Sequence, residues 1–137
     1  FKLGENVATA KGAVVYRDER FELIQYAPTT DKVYAIPQLT IPPQINKMYI
    51  NDLSPEKSVV KYQLDNGIQT FVISWKNPAK AEGHWGMDDY IAACRKAIGQ
   101  GPVKTLCSHG LLPEGGAQEH GRVLGGVVLW LAWSEGA

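Results

Sequence analysis

Two short apolar runs, Leu39-Thr40-Ile41 and Thr70-Phe71-Val72-Ile73, constrain this chain more than any other feature. Both are rich in β-branched or aromatic residues and are bounded by Pro or Gly, the composition of strands covered on both faces, as in a parallel sheet. Between them Ser54-Pro55-Glu56-Lys57 reads as a helix start, with Ser54 as N-cap and Pro55 at the first helical position. Val59, Val60, Tyr62 and Leu64 supply an apolar side, and Asn66-Gly67 supplies the stop. The block 39–75 is therefore expected to form a strand, a crossover helix and a second, parallel strand. Right-handed crossovers place the loop after the first strand at the carboxyl edge of the sheet, where ligand and catalytic groups collect.

The flanking segments extend this pattern. Residues 13–16 and 21–26 are strand candidates. The second, with Leu23, Ile24 and Tyr26 opposed by Glu22 and Gln25, reads as half-buried, as in an antiparallel hairpin at a sheet edge. A turn is expected at Pro28-Thr29-Thr30-Asp31, and Pro78 ends the strand that precedes it. Residues 88–98 (DDYIAACRKAI) begin acidic and end basic before Gly99, which complements a helix dipole at both ends. Residues 103–106 (VKTL) are read as a further buried strand. From Ser108 the pattern weakens, and residues 110–126 lack a clear period, which argues loop or disorder. Residues 127–133, with Trp130 and Trp133, form an apolar run that periodicity assigns to neither strand nor helix.

Size and charge narrow the function classes. At 137 residues the chain has length for one domain. Fourteen basic residues balance fourteen acidic ones, so neither nucleic acid nor an anionic membrane is favoured as partner. The longest apolar run is much shorter than a transmembrane span. Cys94 and Cys107, with no secretory signal ahead of them, fit a reducing cytoplasm better than a disulfide framework. His84, His109 and His120 have no metal-ligand spacing, so neither metal nor cofactor is expected. Asp88-Asp89 sits at a helix start and reads as capping rather than as a catalytic carboxylate pair. Gly115-Gly116 and Gly125-Gly126 lack the lysine and the strand-to-helix setting of a phosphate loop.

Ile41-Pro42-Pro43-Gln44-Ile45-Asn46-Lys47-Met48-Tyr49-Ile50-Asn51-Asp52-Leu53, then Ser54-Pro55-Glu56-Lys57-Ser58, then Phe71-Val72-Ile73-Ser74-Trp75-Lys76-Asn77-Pro78, then Gly86-Met87-Asp88-Asp89-Tyr90, follow one another in the order of a known pattern. With Asn6-Val7-Ala8 and Leu23-Ile24-Gln25-Tyr26-Ala27-Pro28-Thr29-Thr30 upstream, this chain resembles the polyhydroxyalkanoate synthases, the polyester polymerases of bacterial storage granules. The resemblance runs from about residue 6 to residue 98. It implies a partial α/β-hydrolase fold, a mostly parallel sheet with antiparallel edge strands, over residues 1–106, with 107–137 a divergent C-terminal segment. It also implies acyl transfer from (R)-3-hydroxyacyl-CoA, such as 3-hydroxybutyryl-CoA, to a growing polyester with release of CoA. The partners it implies are hydroxyacyl-CoA and the polyester chain, with self-association or the granule surface besides, and the location is the cytoplasm or that surface.

In such enzymes a Cys in a G-x-C-x-G elbow carries the chain as a thioester, a His activates it and an Asp assists. A thiolate is a competent nucleophile when a neighbouring base or dipole lowers its pKa. Cys107, after the 103–106 strand, is the candidate nucleophile here, beside the alternative that an apolar-flanked Cys is an inert core residue. By position in the loop after the first buried strand, Ile45 and Asn46 are the candidate backbone donors to an oxyanion.

The chain departs from the pattern in three respects. Leu106-Cys107-Ser108-His109-Gly110 lacks the first elbow Gly, Gln44 stands where Trp is common, and the family's Asp and His lie further downstream than this chain extends. The expectation is a truncated or frame-shifted synthase segment with little or no polymerase activity of its own. Two alternatives stand beside it: a non-catalytic segment binding synthase or granule, and a small esterase using Ser108 or Cys107.

Overall fold

The computed structural model describes residues 1–35 and 37–99. In chain order these form strands β1 (Gly12–Arg17), β2 (Phe21–Tyr26) and β3 (Gln38–Thr40), a 3-10 turn (Met48–Asn51), strands β4 (Asp52–Ser54) and β5 (Lys57–Ser58), and helix α1 (Val59–Asp65). Strand β6 (Thr70–Trp75), a second 3-10 turn (Lys80–Glu82) and helix α2 (Met87–Gly99) complete them. The main sheet has the order β1-β2-β6-β3, and β4 and β5 make a separate small hairpin.

The parallel unit expected from the two apolar runs is present: β3 pairs with β6 in parallel, Leu39 opposite Phe71 and Thr40 opposite Val72, with α1 in the connection between them. The expectation of a mostly parallel sheet is corrected, because among the described residues β1–β2 and β2–β6 are both antiparallel. For β1–β2 the cause is connection length. Residues 18–20 make a turn in which the Asp18 N–H donates to the Phe21 carbonyl at 2.8 Å, and so short a link permits only an antiparallel neighbour. The antiparallel hairpin expected at a sheet edge is present, with β1 as its edge strand, but β2 itself is not half-buried. It lies between β1 and β6, and Phe21, Leu23, Ile24 and Tyr26 are all buried. Glu22 and Gln25 remain partly accessible there, which mimics edge alternation in the sequence.

Among the described residues each face of the sheet carries one helix. On one side Ala93 and Ala97 of α2 pack against Phe21, Leu23, Leu39, Phe71, Ile73 and Trp75. On the other, Val60 and Leu64 of α1 pack against Ile24, Tyr26 and Val72. Alternation along β6 thus sends Phe71, Ile73 and Trp75 to α2 and Val72 to α1, which is why this strand reads as a continuous apolar run.

Helix α1 starts later than its sequence suggests. Ser58, in extended backbone (φ −130°, ψ 111°), is the N-cap, and its hydroxyl accepts the Lys61 N–H at 2.9 Å. Ser54 is instead the last residue of β4, and its hydroxyl donates to Glu56 within the turn to β5. With the start displaced, Val60, Gln63 and Leu64 face inward, whereas Val59 and Tyr62 are exposed. Ser58→Ala is expected to lower stability by about 1 kcal/mol, read by urea denaturation, with Ser54→Ala changing it by less than half as much. The far end is as the sequence indicates: Asn66 is the C-cap, and Gly67 takes the left-handed conformation (φ +74°) that a side chain would strain.

Helix α2 also follows its sequence. Asp88 and Asp89 lie in the first turn and Lys96 in the last. Lys96 reaches Asp18 at the β1–β2 turn. Burial opposes the charge on Asp18, but Lys96 and the Arg20 N–H outweigh it and hold the carboxyl below its ordinary pKa.

Candidate active-site loop

Residues 41–47 leave the carboxyl end of β3 beside the carboxyl end of its parallel partner β6. The start of this loop is rigidly held. Ile41 and Pro42 are buried, and the Trp75 indole N–H donates to the Pro42 carbonyl at 2.7 Å in a buried hydrogen bond. The turn that follows closes through the Asn46 N–H and the Pro43 carbonyl, 2.9 Å apart. Beyond it the Lys47 ammonium donates to the Asn77 side chain, and the Gln44 amide touches the sulfur of Met87 at the start of α2. The loop is therefore fixed to β6, to the segment after it and to α2 together.

This geometry treats the two candidate oxyanion donors differently. The Asn46 N–H is spent on Pro43. The Ile45 N–H has no acceptor among the described residues, and Ile45 as a residue is 91% exposed. Among the described residues, the two candidate donors therefore differ: one N–H closes the turn and the other has no protein acceptor. Cys107, with the 103–106 strand and Ser108-His109, lies outside the described residues.

The remaining sequence candidates take ordinary places. Cys94 packs partly buried against the α2-side core, and burial pushes its thiol pKa up, the opposite of an activated nucleophile. Asp89 caps α2, accepting the Gly86 N–H at 2.8 Å. His84 is exposed, with Nδ1 3.1 Å from the Ala81 carbonyl. Among the described residues no three His, Cys, Asp or Glu side chains gather as metal ligands.

One constellation escapes sequence reading. The Arg20 guanidinium lies 4.9 Å from the centroid of the Trp85 ring and pairs with Asp89 at 3.0 Å, while the Lys76 ammonium lies 5.5 Å from the same ring. Tyr90 meets both Trp75 and Trp85 edge-on, at 5.4 and 6.4 Å between centroids. Cation–π contacts of this kind hold the 76–86 segment, and with it Asn77, against the sheet. Arg20 carries no local signal of this role, since Trp85 and Asp89 are 65 and 69 residues away in sequence.

Residues 1–63 match the family model described as Poly-beta-hydroxybutyrate polymerase (PhaC) N-terminus. Over 98 residues the chain is 54% identical to Poly(3-hydroxyalkanoate) polymerase 1 of Ectopseudomonas oleovorans, a match covering 72% of this chain and 18% of that protein. The N-terminal part of this chain belongs to the poly(3-hydroxyalkanoate) polymerase family. Over 91 residues it is 50% identical to the polymerase subunit PhaC of Cupriavidus necator and 45% identical to the polymerase of Methylorubrum extorquens, each match covering 66% of this chain and 15% of the relative. The polymerase-like part therefore spans less than a fifth of the length of these three relatives. Among the described residues no helix is long and apolar enough to cross a membrane.

Proposed function

We propose that this chain carries the oxyanion-side segment of a polyhydroxyalkanoate polymerase's acyl-transfer domain, the substrate being an (R)-3-hydroxyacyl-CoA. The observation that carries this reading is the Ile45 N–H, left without an acceptor on a loop clamped at the carboxyl edge of the β3–β6 pair. In the reaction a thiolate attacks the thioester carbonyl of hydroxyacyl-CoA. The carbonyl oxygen becomes an oxyanion, to which the Ile45 N–H donates, and the C–S bond to CoA breaks as the acyl–enzyme thioester forms. The departing CoA thiolate takes a proton from the general acid. A hydroxyl of the next acyl unit then attacks the enzyme thioester and gives its proton to the base; the new C–O ester bond lengthens the polyester as the C–S bond to the enzyme breaks and the thiol is regenerated. Cys107 is the nucleophile this reading nominates, and the altered elbow around it supports a chain without turnover of its own.

The test is release of free CoA from (R)-3-hydroxybutyryl-CoA by the purified chain, followed with a thiol reagent. No release above the buffer rate is expected, in this chain or in Cys107→Ala. Turnover lost in Cys107→Ala would show a working polymerase site and overturn the expected inactivity.

A second reading rests on a separate observation. Ile50, Leu53, Val59 and Tyr62 are 43–68% exposed on the segment that runs from the first 3-10 turn into α1. Apolar exposure on this scale supports association with synthase or with the granule surface in the cytoplasm. Co-sedimentation with polyester granules, lost on Val59→Ser/Tyr62→Ser, distinguishes it.

A further inference from the structure

Two prolines in succession, Pro42-Pro43, open the 41–47 loop, and their rings fix φ at both positions. The direction the chain takes out of β3 is then set largely by the two soft torsions that remain, ψ of Pro42 and ψ of Pro43. One hydrogen bond governs each. The Pro43 carbonyl accepts the Asn46 N–H at 2.9 Å and closes a turn with Ile45 at its third position. The Pro42 carbonyl accepts the Trp75 indole N–H at 2.7 Å, and that donor comes from 33 residues away. Trp75 is itself held in place. It is buried opposite Phe21 in the β2–β6 register, and its ring meets Phe21 and Tyr90 edge-on at 6.1 and 5.4 Å between centroids. Two residues beyond Trp75, Asn77 accepts the Lys47 ammonium, so one strand end holds the chain on both sides of the turn.

We propose that Trp75 is a positioning residue: through the Pro42 carbonyl its indole N–H fixes the turn that carries the Ile45 N–H, and so the direction in which that donor points. The role of the donor rests on the acyl-transfer reading above; its fixed direction does not. Donors to a developing oxyanion are effective when they are oriented beforehand. An exposed turn closed by one backbone bond supplies little orientation of its own, and the Gln44 contact with the Met87 sulfur, at 4.0 Å, is a weak one. Without the indole N–H, the carbonyl of buried Pro42 is left unpaired. Rotation about ψ of Pro42 to reach solvent then relieves that cost and carries the turn with it. The Ser74-Trp75-Lys76-Asn77-Pro78 motif thus acts as the clamp of the Ile41-Pro42-Pro43-Gln44-Ile45-Asn46-Lys47 motif.

Amide relaxation measured by NMR on the full chain gives the order parameter of each N–H. In the wild type the Ile45 value is expected near the rigid-backbone level of about 0.85. Replacing the indole of Trp75 by benzothiophene keeps the bicyclic ring and removes the N–H. The Ile45 and Asn46 values are then expected to fall to about 0.6 or lower, with those of Leu23 and Val72 unchanged. Trp75→Phe should act in the same way, and where its smaller ring prevents folding the benzothiophene protein decides. A residue that only added stability would shift the unfolding midpoint and leave the Ile45 order parameter where it was. An Ile45 value below about 0.6 in the wild type, one unmoved by benzothiophene, or a fall shared equally by Leu23 and Val72 overturns the proposal. The acyl-transfer reading fails on different evidence, an Ile45 amide resonance that does not move when (R)-3-hydroxybutyryl-CoA is added to the wild type.

Discussion

Phe71→Ala is expected to lower the free energy of unfolding by about 3–5 kcal/mol, enough to leave much of a marginal domain unfolded at room temperature. Phe71 is completely buried. It lies on the inner strand of the sheet, opposite Gln25 on β2 and Leu39 on β3, and its ring fills the layer between the sheet and Ala93 and Ala97 of α2. Ala93 and Ala97 are too short to fill the space left behind, and Tyr90, Cys94 and Ile98 of the same helix, only partly buried, pack against other parts of this cluster as well. The cavity therefore persists and adds its cost to the lost transfer energy. Urea denaturation followed by circular dichroism measures the change. Val59→Ala, on the exposed side of α1, serves as the comparison and should shift stability by less than about 0.5 kcal/mol. Equal effects at the two positions would contradict the core described above.

The second large effect is alkaline. Burial, aided by the negative charge of Asp52, raises the Tyr26 pKa from its ordinary value near 10 to about 12. Below about pH 10 the phenol is neutral in both folded and unfolded chains, and its contribution to stability is fully present. Between pH 10 and 12 the unfolded chain loses the proton while the folded chain keeps it, so stability falls as pH rises, by up to about 3 kcal/mol. Tyr26→Phe should abolish this part of the pH dependence. The variant gains on the wild type steadily above pH 10. Parallel stability curves for the two proteins from pH 9 to 12 would refute the assignment. The ultraviolet titration of ionising phenols should likewise lose its latest-titrating component in Tyr26→Phe.

Local signals carried some elements well. Residues 21–26 read as a strand and form β2 with those bounds; Asn66-Gly67 reads as a helix stop and is one; the acidic start and basic end of 88–98 mark α2. Each depends on residues adjacent in sequence. The start of α1 was not legible, because Ser54 and Ser58 are equally good caps locally. What separates them is the pairing of Asp52 with Ser58 across the β4–β5 hairpin, which makes Ser54 a strand end. The polarity pattern of β2 likewise does not reveal whether its neighbours lie on one side or both. Of the candidate site, the 41–47 loop was legible from the order of strand, loop and helix. The unequal status of the Ile45 and Asn46 N–H groups was not, since it depends on one turn hydrogen bond.

Sequence by itself determined the family of the N-terminal part, the β3–α1–β6 parallel unit and the position of its loop, because apolar runs, caps and motif order are all written in neighbouring residues. Tertiary structure decided that β2 is an inner strand, that Ser58 caps α1, that Arg20 and Trp85 hold the 76–86 segment, and that the Trp75 indole meets the Pro42 carbonyl. These depend on contacts between residues tens of positions apart, whose energies exist only once the sheet has brought them together.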